Sequence, residues 1–175
     1  MKGVIADCFC ELVKKKFGED KLEQIKQSAG VDKNKRFLAT ENVPDSAVLE
    51  MVGCACDTLG ISLEDAADAF GEYWVNVYAP RLYSVYYKGV NSSRDFLLRM
   101  DEVHTKTAKN LSDAKPPHFK YRWSDDNTLV ITYISERGLI DFAVGLIKGV
   151  GKYYDEDLSV KKLSDTEIEV VFPST

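Results

Sequence analysis

The feature that most restricts this chain is a change of hydrophobic period at Lys115-Pro116-Pro117. Upstream, apolar residues recur every three or four positions, the spacing of helices with one buried face. Downstream, residues 118–123 and 128–136 alternate, as half-buried strands do. Two successive prolines cannot continue a helix, and each pushes the residue before it into an extended conformation. The chain must therefore be helical first and sheet-forming second. The pattern predicts an α+β fold: a helical N-terminal half, then a four-stranded antiparallel sheet carrying one long helix.

Residues 3–17 place Val4, Ile5, Cys8, Phe9, Leu12 and Val13 on one helical face, closed by Gly18. A short helix through Leu22, Ile25 and Ala29 stops at Gly30, and residues 31–43 read as a surface loop. Pro44 opens a helix that ends at Gly60. Ser62-Leu63-Glu64-Asp65 resembles a capping box with Asp in the usual Glu position. The helix it starts runs through Phe70, Tyr73, Trp74, Val77 and Tyr78 until Pro80 stops it. Residues 81–91 support a short helical turn at most. Ser92 or Ser93 caps the next helix, whose apolar stripe is Phe96, Leu97, Met100, Val103, His104, Ala108 and Leu111. Asp101, Glu102 and Lys106 fall on its other side. The strands at 118–123 and 128–136 are joined by a turn at Asp125-Asp126-Asn127. A largely apolar helix at 139–154 follows, then strands near 157–163 and 166–172.

Composition removes several classes of function. The 175 residues are 45% apolar and 29% charged, with a net charge of −5. An acidic chain without a basic cluster argues against nucleic acid and anionic membranes as partners. Asp7 and Glu11 interrupt any secretory apolar run, and Asp141 interrupts the most apolar segment, so the expectation is a cytoplasmic protein. Cys8/Cys10 and Cys54/Cys56 form two C-x-C pairs. Positions i and i+2 of a helix point to different faces, so reduced, partly buried thiols account for them better than zinc.

Two features could carry chemistry. His104 lies on an apolar helical face, where a histidine is either a satisfied core residue or a ligand. On the strand at 129–137, alternation puts Leu129, Ile131, Tyr133, Ser135 and Arg137 on one face. Its apolar end packs inward, while its donor end spaces three polar groups about 7 Å apart. Such a row suits two carboxylates on one flat ligand, Arg137 offering a charged fork and the others hydroxyls. It is equally compatible with an exposed strand end.

Tyr133-x-Ser135-x-Arg137, preceded by Asp101-Glu102-Val103-His104 and Pro116-Pro117, resembles the haem nitric oxide/oxygen binding (H-NOX) family, which includes the haem domain of soluble guanylate cyclase. The resemblance extends from Met1-Lys2-Gly3 to the last strand. It implies one domain over 1–175, with a helical subdomain at about 1–60, a haem-binding subdomain at about 61–175, and haem between the halves. It makes His104 the proximal axial ligand of a haem b. Tyr133, Ser135 and Arg137 become the clamp for the haem carboxylates, and Pro117 the residue pressing on the porphyrin. Ile5, Phe9, Trp74, Phe142 and Leu146 would line the distal side.

The resemblance also implies a ligand preference. Family members that hold oxygen stably have a tyrosine where this chain has Phe142. Bound oxygen draws charge and gains from a hydrogen-bond donor, whereas nitric oxide needs little such help. The implied function is therefore a nitric oxide sensor without catalysis of its own, which also binds carbon monoxide. Weakening of the iron–His104 bond would signal to a histidine kinase, cyclic-di-nucleotide enzyme or chemotaxis receptor. The alternatives are an oxygen sensor using the Trp74 indole as donor, a haem peroxidase-like enzyme, or a domain without ligand in which His104 is core. A peroxidase would need a distal acid–base group, and the second histidine, His118, opens a strand instead.

Overall fold

The computed structural model describes residues 1–110 and 113–174, so Leu111 of the expected stripe lies outside the described residues. The chain divides into two compact units, Met1–Ala66 and Ala67–Thr175. No single helix among the described residues is long and apolar enough to cross a membrane.

The first unit contains α1 (Gly3–Phe17), α2 (Glu19–Ser28) and α3 (Asp45–Leu59), with α2 packed against both others. Gly18 and Gly60 end α1 and α3 at positive φ, conformations that cost a side chain but not glycine. Lys26 is buried, and its ammonium donates to the carbonyls of Lys33 (3.2 Å) and Lys35 (2.8 Å), tying down the α2–α3 loop. None of the four cysteines is in a disulfide. Burial pushes the Cys10 thiol up to about 11, which leaves it protonated and unreactive at neutral pH. The Ser62 box is present: the Asp65 amide donates to the Ser62 hydroxyl (3.0 Å) and the Ser62 amide to the Asp65 carboxylate (3.3 Å).

It opens α4 (Leu63–Tyr73), which does not end at Pro80 as expected. The helix widens into a π-helical turn at Trp74–Tyr78 and continues as α5 (Ala79–Tyr83) and a 3₁₀ turn at Ser84–Tyr86. Pro80 then falls in the first turn of α5, where its missing N–H is no loss. The wider turn also rotates the buried face, so Val75 is buried in place of Val77.

The expected helix at 93–111 is likewise two helices. Ser92 caps α6 (Ser93–Leu98) by accepting from the Asp95 amide (3.1 Å), and Arg99 separates it from α7 (Met100–Asn110). Ser93 is fully buried and bonded to the Glu156 carboxylate. Phe96 and Leu97 are buried with it, whereas none of residues 100–109 of α7 is.

The sheet consists of β1 (His118–Trp123), β2 (Thr128–Ile134), β3 (Ser159–Lys162) and β4 (Glu167–Val171), antiparallel in the order β1-β2-β4-β3. Phe119 pairs with Tyr133, and Tyr121 with Ile131. Leu129, Ile131, Ile168 and Val170 form the core under α8 (Ile140–Tyr153) with Ile140, Val144 and Ile147. Asp125 accepts from the Asn127 and Thr128 amides, closing the β1–β2 turn as its residue types require.

α4 and α8 cross with backbone against backbone. A Cβ on Gly71 would lie 2.1 Å from the Gly145 carbonyl carbon, and one on Gly145 would lie 2.2 Å from the Ala67 oxygen. Only glycine lets the two backbones meet. Ion pairs Lys148–Asp68 (2.7 Å) and Lys152–Glu72 (2.5 Å) flank it. Gly145→Ala is expected to lower the unfolding free energy by about 3 kcal/mol, the upper end of overpacking costs. Gly53→Ala in α3, where a Cβ meets nothing within 4 Å, should instead raise it by about 1 kcal/mol. Urea unfolding followed by circular dichroism compares them; equal midpoints would mean that the crossing yields freely.

Candidate functional site

His104 sits on α7, half-buried, with its ring 5.4 Å from that of Phe119. Its Nδ1 lies 3.1 Å from the Pro117 carbonyl oxygen. A carbonyl can only accept, so Nδ1 carries the ring hydrogen and Nε2 keeps its lone pair. Burial pushes the imidazole pKa below its ordinary value, and the Pro117 carbonyl only partly opposes this. The ring is thus a neutral imidazole with one defined basic nitrogen, the form that ligates a metal.

Asp101 turns α7 toward β1. Its carboxylate accepts from the Phe119 amide (2.9 Å) and lies 3.1 Å from His118 Nδ1. The Phe119 amide, and after it His118, hold that carboxyl below the usual carboxylate range. Sequence reading put Asp101 on the wet face and overlooked Phe119. The usable signal was the i, i+3 spacing of Asp101 and His104, which makes them neighbours on one helical surface.

Tyr133 is buried on β2, with its ring 6.1 Å from Phe119. Strand alternation does not extend to the other two donors. β2 ends at Ile134, and Ser135 and Arg137 belong to the turn that Gly138 closes at φ +62. The Ser135 hydroxyl accepts from the Arg137 amide (3.2 Å), a local serine turn that competes with ladder pairing. The Arg137 guanidinium donates to the Lys115 carbonyl. Tyr133, Ser135 and Arg137 thus follow one another along the end of β2 and its turn, Pro117 meets His104, and Lys115 meets Arg137.

A second cluster consists of rings. Phe70 stacks on Trp74 (5.9 Å between centroids) and meets Phe142 edge-on (5.7 Å). Trp74 continues the stack to Tyr78 (5.6 Å). Phe142 and Leu146 are half-buried one turn apart on α8. Ile5 and Phe9 lie on α1 in the first unit, half-buried and buried.

This donor set fits a haem. A neutral imidazole with a free lone pair, a hydroxyl–hydroxyl–guanidinium series for carboxylates, and an apolar ring cluster are the three kinds of group such a ligand requires. Among the described residues there is no cluster of three or more His, Cys, Asp or Glu arranged to hold a bare metal ion.

Comparison with known proteins agrees with this chemistry. The Haem-NO-binding family matches residues 2–162. Soluble guanylate cyclase gcy-37 of Caenorhabditis elegans is 23% identical over 158 residues, covering 87% of this chain and 22% of that protein. Soluble guanylate cyclase gcy-35 of the same organism is 26% identical over 171 residues, covering 92% of this chain and 24% of that protein. The chain therefore spans about a quarter of the length of these relatives. Two solved structures share its fold at 21% identity, each over 99% of this chain. One is an oxygen-binding H-NOX domain related to soluble guanylate cyclases, in its oxygen complex (TM-score 0.84, 96% of that chain). The other is a Cs H-NOX mutant carrying 4-cyano-L-phenylalanine (TM-score 0.90, 97% of that chain). An α+β fold, a histidine positioned by a proline carbonyl and a match over nearly the whole length lead to one conclusion: this chain belongs to the Haem-NO-binding (H-NOX) family.

Proposed function

We propose that this chain is a haem-based nitric oxide sensor in which His104 is the axial ligand of a haem b. The observation that carries the reading is the Nδ1 hydrogen bond to Pro117, which leaves Nε2 as the ligating atom. Ligating histidines are commonly oriented this way, the second nitrogen donating to an outer acceptor. The haem iron, when bound, supplies the position at which a diatomic gas coordinates. Tyr133, Ser135 and Arg137 hold the two haem carboxylates. The Ser135 oxygen already accepts from the Arg137 amide, so its own hydrogen is left to donate. The guanidinium has five N–H donors, enough to bond the Lys115 carbonyl and a carboxylate together. Pro117 would bear on the haem, and Trp74, Phe142 and Leu146 would form the apolar side on which the gas binds.

Gas preference follows from what these residues cannot donate. Phe142 has no hydrogen-bond donor, and Trp74 lies in a ring stack as core filling does. A missing charge-assisted donor is worth about 1.5–3 kcal/mol, or ten- to hundred-fold in affinity. Oxygen loses this stabilisation; nitric oxide and carbon monoxide depend on it less. A haem iron held by His104 would be coupled first to α7, which carries the imidazole and meets β1 through Asp101. The recipient is a signalling partner or further domain, such as a histidine kinase, a cyclic-di-nucleotide enzyme or a chemotaxis receptor. The chain performs no catalysis itself, and a cytoplasmic location suits this role.

Three outcomes are expected. Purified protein should show the visible spectrum of a haem protein, and His104→Gly should lose it unless imidazole is supplied; wild-type protein that stays colourless with added hemin would end the reading. The ferrous protein should bind nitric oxide and form no stable oxygen complex in air, as read by the same spectrum. Phe142→Tyr should raise oxygen affinity by about ten- to hundred-fold, the value of one restored donor, and an unchanged affinity would remove Phe142 from the selection.

A further inference from the structure

The Lys115-Pro116-Pro117 segment is held at both ends by groups of the proposed site. Pro117 offers its carbonyl to the His104 Nδ1–H at 3.1 Å, and Lys115 offers its carbonyl to the Arg137 guanidinium. Between these carbonyls the chain has little freedom. Both prolines have φ fixed near −65° by their rings, and the residue before each is confined to extended ψ. At about 3.1 Å per residue of such chain, the carbonyls sit about 6 Å apart on a stiff rod.

The rod's ends are mounted differently. Pro117 leads directly into β1, whose first residue His118 pairs with Ile134 on β2, so that end is carried by the sheet. Lys115 lies outside the strands, and its carbonyl accepts from Arg137, three residues beyond the end of β2. A stiff segment hinged at one end takes its angle from whatever holds the other. Arg137 therefore governs how the Lys115–Pro117 rod leans, and the rod in turn aims the carbonyl that orients the His104 ring.

We infer that Arg137 is a positioning residue for His104, acting through the Lys115-Pro116-Pro117 rod, in addition to holding a haem carboxylate. This inference rests on the proposed haem site and makes it a coupled one. A change in how Arg137 engages a carboxylate is transmitted to the bond that the His104 imidazole makes with iron. The rod is the connection, because Pro116 links the two carbonyl-bearing residues and restricts their relation.

The test is a double-mutant cycle with Arg137→Gln and Pro116→Gly, read from the iron–histidine stretching band in resonance Raman spectra of ferrous, gas-free protein. Arg137→Gln is expected to shift the band in the wild-type background. In the Pro116→Gly background the same substitution should shift it little or not at all, because the rod has been made flexible. An equal shift in both backgrounds would overturn the inference, since the effect would then run through the carboxylate; no shift in either would overturn it too. Where a variant does not take up haem, the 15N shift of His104 Nδ1 in haem-free protein reads the Pro117 hydrogen bond directly and is subject to the same two criteria. Protein that never binds haem but keeps the coupling in the 15N shift would sink the haem reading alone. Coloured protein without coupling would sink this inference alone.

Discussion

The hydrogen bond from His104 Nδ1 to the Pro117 carbonyl is the constraint on which the site depends. A histidine has two nitrogens and two neutral tautomers, and without a fixed partner the ring presents either atom. A carbonyl acceptor removes that choice and leaves one basic nitrogen in one direction. Burial adds to this by keeping the ring uncharged. The carbonyl can serve only because it is itself held, by a proline ring on one side and the first residue of β1 on the other. The double proline thus ends the helical half of the chain and also supplies a fixed acceptor for His104.

That arrangement needs a rigid surround, and the second unit supplies one. α4 and α8 approach so closely at Gly71, Gly145 and Gly149 that backbone touches backbone. This sets the position of Phe142 and Leu146 on α8 with little tolerance. The π-helical turn at Trp74–Tyr78 adds an extra residue to the helical turn, rotating Trp74 into the stack with Phe70 and Tyr78. π turns are rare and concentrate at functional sites, in keeping with the ring cluster built on this one. α6 is clamped by Glu156 at Ser93, whereas residues 100–109 of α7 include no buried side chain and the helix is attached through Asp101 and His104. The element that bears the proposed ligand is therefore shallowly packed, as a responsive element should be.

Where sequence reading and structure diverge, the cause is in each case an interaction between residues distant in the chain or a local geometry that periodicity does not encode. Alternation carried the donor row through Arg137, yet the strand stops at Ile134 because the Ser135 hydroxyl captures the Arg137 amide. Helical spacing ran unbroken from Ser93 past His104, yet Arg99 interrupts it. Pro80 looked like a terminator and became the first turn of a new helix once a π turn preceded it. Asp101 looked solvated because its partner, the Phe119 amide, is 18 residues away in sequence.

Sequence alone determined the general order of helices and strands, the change from helix to sheet at the prolines, and the residue types of the proposed clamp. These follow from spacing and side-chain chemistry, which are local properties. The TYISER segment and His104 upstream were also enough to indicate the family. Only the tertiary structure decided which nitrogen of His104 is available, that Asp101 and Phe119 support it, and that Lys115 lies against Arg137. Each is a meeting of two groups far apart in the chain, and a one-dimensional pattern holds no distance between them.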